Sequence, residues 1–334
     1  MCQIARHGMS KRIKRTVTRW TFVALLTGCA AVWSAVRAAP SSIEVLPPLP
    51  VSRDEITLQD DKLRVGFDAS SGALIRLETK ATHWTIERRP ELGISFRLFA
   101  PMPDRRWNPV LGQKQHATQV KKISDNELQI QWENLIGESS GALPVTITAD
   151  ITLTNGVLTF NATLKNDSKL TVETIDYPYF GDFNAPTPET PLQVQVMTGK
   201  SATKLKADEI HPRFGNEKGY WGVFWPTKIR EAQQSRFCLI SATNEGVYVE
   251  VSATPYKMQW VFEQHPGVIS SINDLVPPGD DMAGTPVYLE FRACHFIFAA
   301  PASTKTLTPV MLRCYQGDWH TGVNFFQPQK TASP

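Results

Sequence analysis

Three short stretches combine aromatic and hydrogen-bonding side chains in the way a sugar-contacting surface requires. Asp176, Tyr177, Tyr179 and Asp182 form one set. Arg213, Asn216, Tyr220, Trp221 and Trp225 form a second, and Arg105, Arg106, Trp107 and Asn108 a third. Indole and phenol rings offer flat apolar faces on which sugar C–H groups stack. Carboxylates, amides and guanidinium groups beside them bond the hydroxyls. The same rings also serve to pin long loops onto a sheet edge, so composition alone leaves both uses open. The ligand-binding candidates are Arg105, Arg106, Trp107, Asp176, Tyr177, Tyr179, Arg213, Tyr220 and Trp221.

Acid–base chemistry has fewer candidates. Beyond the first forty residues the histidines are His83, His116, His211, His265, His295 and His320, and no two have the HxH or HExxH spacing of a metal site. A sugar epimerase needs a base and an acid flanking one ring. Glu290 and His295 lie on neighbouring strand-like segments, and with His211 they are the candidates for one cleft. Asp176, Asp182 and Asp318 are the carboxylates available for glycoside hydrolysis, at separations the sequence does not give. GxSxG and phosphate-loop motifs are absent, and Asp280 with Asp281 reads as a solvated turn. No cofactor is indicated. A calcium site stays open, because Asp and Asn are too common in the loops to mark one.

The elements that must hold these residues are strands. Ile147, Ala149, Ile151 and Leu153 alternate with Thr146, Thr148, Asp150 and Thr152. Asn155-Gly156 then supplies a tight turn before a second run at 157–164. Another hairpin is expected from 63–67 and 73–77, joined by Asp68, Ser70, Ser71 and Gly72. Further strands are expected at 94–98, 127–133, 172–175, 192–196, 237–241, 246–251, 257–263, 286–291 and 294–298. Regular spacing and turns rich in Gly, Pro, Asn and Asp predict an all-β, large antiparallel two-sheet sandwich. The loops at 99–115, 176–190 and 211–227 are where binding is expected.

Composition narrows the setting. The chain has 334 residues, 42% of them hydrophobic, with a formal charge of +3. Arg6, Lys11, Arg12, Lys14, Arg15 and Arg19 supply part of that excess, which gives no support to a nucleic-acid footprint. The basic start precedes an apolar run from Trp20 to Val36, then small residues near Ala38, which reads as a signal sequence over 1–38. Leu26-Thr27-Gly28-Cys29 also resembles a lipobox, with Cys29 as the lipidated residue. Residues 39–54 read as a Pro-rich linker, 55–315 as the sandwich and 316–334 as a disordered or truncated tail. Cys238, Cys294 and Cys314 have no CxxC spacing. They are expected as buried thiols, with one disulfide open in an oxidising compartment.

Four segments resemble galactose mutarotase-like β-super-sandwich domains: 63–77 (LRVGFDASSGALIRL), 89–98 (RPELGISFRL), 176–182 (DYPYFGD) and 219–222 (GYWG). The pattern is similar to the N-terminal domain of secreted bacterial glycoside-hydrolase-like proteins, in which the sandwich precedes a TIM-like catalytic barrel. The resemblance implies a carbohydrate ligand. Fourteen residues follow His320, against about 250 for a barrel. The expectation is therefore an exported carbohydrate-binding or scaffold domain without its own catalytic barrel, whose partner would be a separate barrel chain. Membrane contact is expected only through a lipid anchor. The alternatives are a glycan-active enzyme of epimerase or hydrolase type with its site on the sandwich, and a structural envelope protein.

Overall fold

The fold starts from local turn chemistry. Asn155 and Gly156 both take positive φ, 54° and 77°, the combination a two-residue hairpin needs to match the twist of its strands. The turn joins β11 (Val145–Thr154) to β12 (Val157–Asn166) in unbroken register from Thr154 opposite Val157 to Val145 opposite Asn166. Every second residue of β11 is buried, and Ile147, Ala149, Ile151 and Leu153 are fully inaccessible. In the hairpin of β2 (Leu63–Asp68) and β3 (Leu74–Thr79), Asp68 Oδ1 accepts from the backbone N–H and hydroxyl of both Ser70 and Ser71. Burial alone would raise the Asp68 carboxyl. The serine hydrogen bonds outweigh it and hold the group below the usual carboxylate range.

The computed structural model describes residues 54–88, 90–187, 190, 192–198, 201–206, 223–229, 234–251, 258–266 and 287–326. Among them the strands form four antiparallel sheets. The smallest pairs β9 (Leu135–Gly137) with β10 (Gly141–Leu143). A four-stranded sheet runs β1 (Glu55–Gln59), β2, β3, β4 (Thr85–Glu87). The six-stranded sheet has the order β16 (Val223–Ile229), β19 (Met258–Pro266), β20 (Val287–Ala299), β13 (Val172–Phe183), β5 (Arg97–Phe99), β6 (Pro109–Leu111). The ten-stranded sheet runs β15 (Ser201–Lys206), β14 (Gln193–Thr198), β17 (Gln234–Ser241), β18 (Glu245–Val251), β22 (Val310–Gln316), β12, β11, β8 (Glu127–Trp132), β7 (Gln119–Ser124). Its tenth strand, β21 (Ser303–Thr306), also pairs with β12.

The two large sheets bury their facing sides in one core. Phe160 of β12 meets Tyr177 and Phe180 of β13 edge-on, with ring centroids 6.0 and 5.8 Å apart. Trp132 of β8 meets Phe96 and Tyr177 at 5.2 and 6.5 Å. Edge-to-face aromatic pairs each add roughly 0.5–1.5 kcal/mol beyond the area they bury. The four-stranded sheet is pinned to this core by two indoles, as Trp132 Nε1 donates to Ser71 O and Trp84 Nε1 to Asn184 O. The all-β sandwich expected from the strand pattern is present.

The tail differs from expectation. Asp318 caps a short helix, α1 (Trp319–Val323), by accepting from His320 N. Trp319, Val323, Phe325 and Phe326 then pack on Phe237, Leu239, Tyr248 and Tyr315 of β17, β18 and β22. Residues 319–326 are thus an apolar strap on the ten-stranded sheet. The Pro- and Gln-containing residues that suggested fraying begin beyond it.

Candidate functional site

β5, β13 and β20 run side by side and bring four charges together. Asp176 Oδ2 lies 3.0 Å from Arg97 Nε and 2.9 Å from Arg292 Nε. Arg292 Nη1 also pairs with Glu290 Oε1, to which the Tyr179 hydroxyl donates. The Arg292 guanidinium stands 5.3 Å from the Tyr179 ring centroid, and that of Arg97 5.9 Å. Asp176, Tyr179, Glu290 and Arg292 are all buried. Two positive and two negative groups therefore sit in one row, in which Asp176, Glu290 and Arg292 are buried and persist as charges only when paired, while Arg97 keeps 23% of its side chain exposed. Beside them, burial first and the Asp176 carboxylate second push the Cys294 thiol well above its ordinary pKa.

A register shift makes this row possible. Asp176 and Tyr179 are three residues apart, which in a regular strand puts them on opposite faces. The β13–β20 register breaks between Asp176 and Tyr179, and the extra residue returns both side chains to the same face. Tyr177 is left on the other side, in the core against Phe160 and Trp132. Its assignment as a ligand contact is therefore corrected: Tyr177 is a core residue, and burial raises its phenol.

The catalytic set expected from sequence does not assemble. β19 and β20 pair without interruption from Val287 to His295, so Glu290 and His295, five residues apart, point to opposite faces. His295 sits opposite Ile175 and Met258 on the core side and is fully buried. Its Nε2 meets Tyr177 O at 2.8 Å. Burial lowers its pKa to about 4, against the partial opposition of the Tyr177 carbonyl and Asp176. Glu290 is engaged by an arginine and a tyrosine, so its carboxylate is not presented as a free base. Asp182 accepts from Arg88 N at 3.3 Å, and Asp318 is a helix cap. His211, Arg213, Tyr220, Trp221 and Cys29 lie outside the described residues. Sequence reading missed Arg97 and Arg292. Their signal was a charge inside an otherwise apolar strand run, and for Arg292 the even spacing from Glu290.

Arg105, Arg106 and Trp107 lie on the connection from β5 to β6 and are exposed. The Trp107 indole keeps 46% of its surface open while its edge packs on Phe99 at 5.3 Å. Arg106 forms a two-pronged pair with Glu173 of β13, at 3.1 and 2.6 Å, and Arg105 donates to Ser139 Oγ at 3.2 Å. The anchor is Asn108, which is fully buried. Its side chain donates to Ala100 O and Ser140 Oγ and accepts from the N–H groups of Ser139 and Ser140. That one amide ties the Trp107 loop to the β9–β10 hairpin. Arg105, Arg106 and Trp107, consecutive in the chain, share this exposed and anchored loop.

Cys238, Cys294 and Cys314 are free thiols. Among the described residues no three His, Cys, Asp or Glu side chains gather as a metal ion would need.

No protein-family model matches the chain, and no curated protein matches it in sequence. Solved structures similar to it include a galactose mutarotase related enzyme from Lactobacillus acidophilus, at 10% identity and a TM-score of 0.49, covering 79% of this chain and 98% of that one. A putative aldose 1-epimerase from Escherichia coli K12 is similar at 12% identity and a TM-score of 0.49, covering 79% and 99%. The α-galactosidase from Lactobacillus brevis is similar at 9% identity and a TM-score of 0.46, covering 80% of this chain and 40% of that enzyme.

Proposed function

We propose that the chain is an exported carbohydrate-binding module that contacts glycans through the Trp107 loop and carries no glycosidase activity of its own. The observation behind this reading is an indole left 46% open on a loop whose neighbours are fixed by the buried Asn108. A large ring left partly open on a rigid base offers a flat apolar face suited to a ligand surface. Arg105 and Arg106 flank it with donors for ring or hydroxyl oxygens. The four segments resembling super-sandwich domains support the same class of ligand. Export rests on the basic and apolar start of the sequence, with lipidation at Cys29 as its variant. Catalysis in this scheme belongs to a separate barrel chain.

Glycan-array binding by the full chain tests the reading. Trp107→Ala is expected to weaken binding at least tenfold while leaving the unfolding midpoint nearly unchanged. Binding untouched by that substitution, or an array that stays empty, removes the proposal. A second reading, sugar epimerisation on the sheet, is favoured by the gathering of Asp176, Tyr179, Glu290 and Arg292 in one row. It predicts anomer interconversion that vanishes in Glu290→Gln. The closed pairing of Glu290 favours the binding reading.

A further inference from the structure

Next to the Trp107 loop, between β6 and the β9–β10 hairpin, lies a hollow of about 210 Å³. Gln115 frames it, donating to Ile136 O and accepting from Ile136 N at 3.1 and 2.9 Å. Gly137 and Gly141 face each other across the hairpin, and Gly141 borders open space. Ile136, 44% exposed, supplies an apolar surface. Lys114 and Glu138 form the polar end. Their side chains are 7% and 8% exposed and pair at 2.8 Å through Glu138 Oε1. The other oxygen, Glu138 Oε2, is buried and makes no hydrogen bond.

A buried carboxylate oxygen without a donor is costly, and more so when it is charged. Glu138 lines the hollow, and a small turn of its carboxylate would bring that oxygen to a ligand carrying a donor. The ammonium beside it offers further N–H groups to an acceptor on the same ligand. Two neighbouring hydroxyls satisfy both demands, one donating to Glu138 and one accepting from Lys114. The volume lies below the roughly 300–1,000 Å³ of drug-sized sites, so one ring fits and a chain does not. We infer that this hollow binds a single sugar unit through a vicinal diol, with Ile136 against the C–H face of its ring. The inference rests on the carbohydrate reading and deepens it. Ser139, the residue after Glu138, is held by Arg105 and Asn108, so the hollow would receive the terminal unit of a chain stacked on Trp107.

The experiment titrates the full chain with the methyl α-glycosides of galactose, glucose and mannose, following the backbone amides of Ile136 and Gly141 by NMR. One oligosaccharide that binds the array is titrated in parallel. At least one glycoside is expected to shift both amides saturably. Glu138→Gln should weaken that binding at least tenfold. Ile136→Ala, which leaves the ion pair intact, should weaken it several-fold and decides the matter if Glu138→Gln does not fold. An oligosaccharide that binds through Trp107 while no glycoside moves these amides overturns the inference and leaves the carbohydrate reading standing. Glycoside binding unchanged in the folded variants also overturns it. If no glycan binds at all, both fall.

Discussion

Asp176 takes two arginines on one oxygen, whereas Glu173 holds Arg106 at the surface with two parallel bonds. The second pair has the better hydrogen-bond geometry, but its Arg106 side chain is 74% exposed, and exposed pairs contribute about 0–1 kcal/mol. In the buried row the removal of one charge leaves its partners uncompensated, which costs about 3–5 kcal/mol. Asp176→Asn is therefore expected to lower stability by about 3 kcal/mol in urea unfolding, and Arg106→Ala by less than about 1 kcal/mol. Equal losses would show that the row is not as dry as its burial implies. At this scale the sequence was partly legible. The exposed loop that carries Arg105, Arg106 and Trp107 was legible because Pro, Arg, Trp and Asn cluster there. The grouping of Glu290 with His295 failed on parity, since an odd spacing in an unbroken strand cannot share a face. Asp176 and Tyr179 share one only through a bulge, which no local composition marks.

Hairpins are the elements whose chemistry is most local. The β11–β12 turn and the Asp68 loop were readable because their determinants lie within a few residues of each other. β15, β16 and the short β4 and β6 were not, since their pairing is decided by partners distant in sequence. Asp68 makes a prediction at this level. Asp68→Ala removes four hydrogen bonds from the loop and is expected to cost about 2 kcal/mol, if each nets roughly 0.5 kcal/mol. Because its folded pKa is depressed, its contribution is present above the unfolded carboxylate value. It is lost as pH falls through the lower folded value. Urea midpoints of this variant and the parent should accordingly converge in strong acid.

At the scale of the whole molecule, the fully buried His295 carries a pH dependence. His295 stays neutral in the folded state down to about pH 4, while the unfolded chain takes up its proton near 6.5. Between those values the unfolded state binds more protons, so stability falls as pH drops from 6.5 to 4, by about 3 kcal/mol at most. Replacement by Gln should flatten that slope when chemical unfolding is followed against pH, and an unaltered slope would assign the acid sensitivity elsewhere. The strap at 319–326 acts on the same scale, because it covers aromatic surface on the outside of the ten-stranded sheet. A chain ending at Gln316 is expected to be less stable by on the order of 3 kcal/mol and to bind a hydrophobic dye. The overall sandwich was legible because alternation recurs in strand after strand. The strap was not, because eight residues are too few to show a period.

Asn108 has one more consequence. Since a single amide clamps both the indole loop and the neighbouring hairpin, these two surfaces are set before anything arrives. A guest spanning them would freeze few protein rotors, so the entropic penalty of docking falls mainly on the guest. Differences in affinity among related guests should then emerge chiefly as differences in residence time.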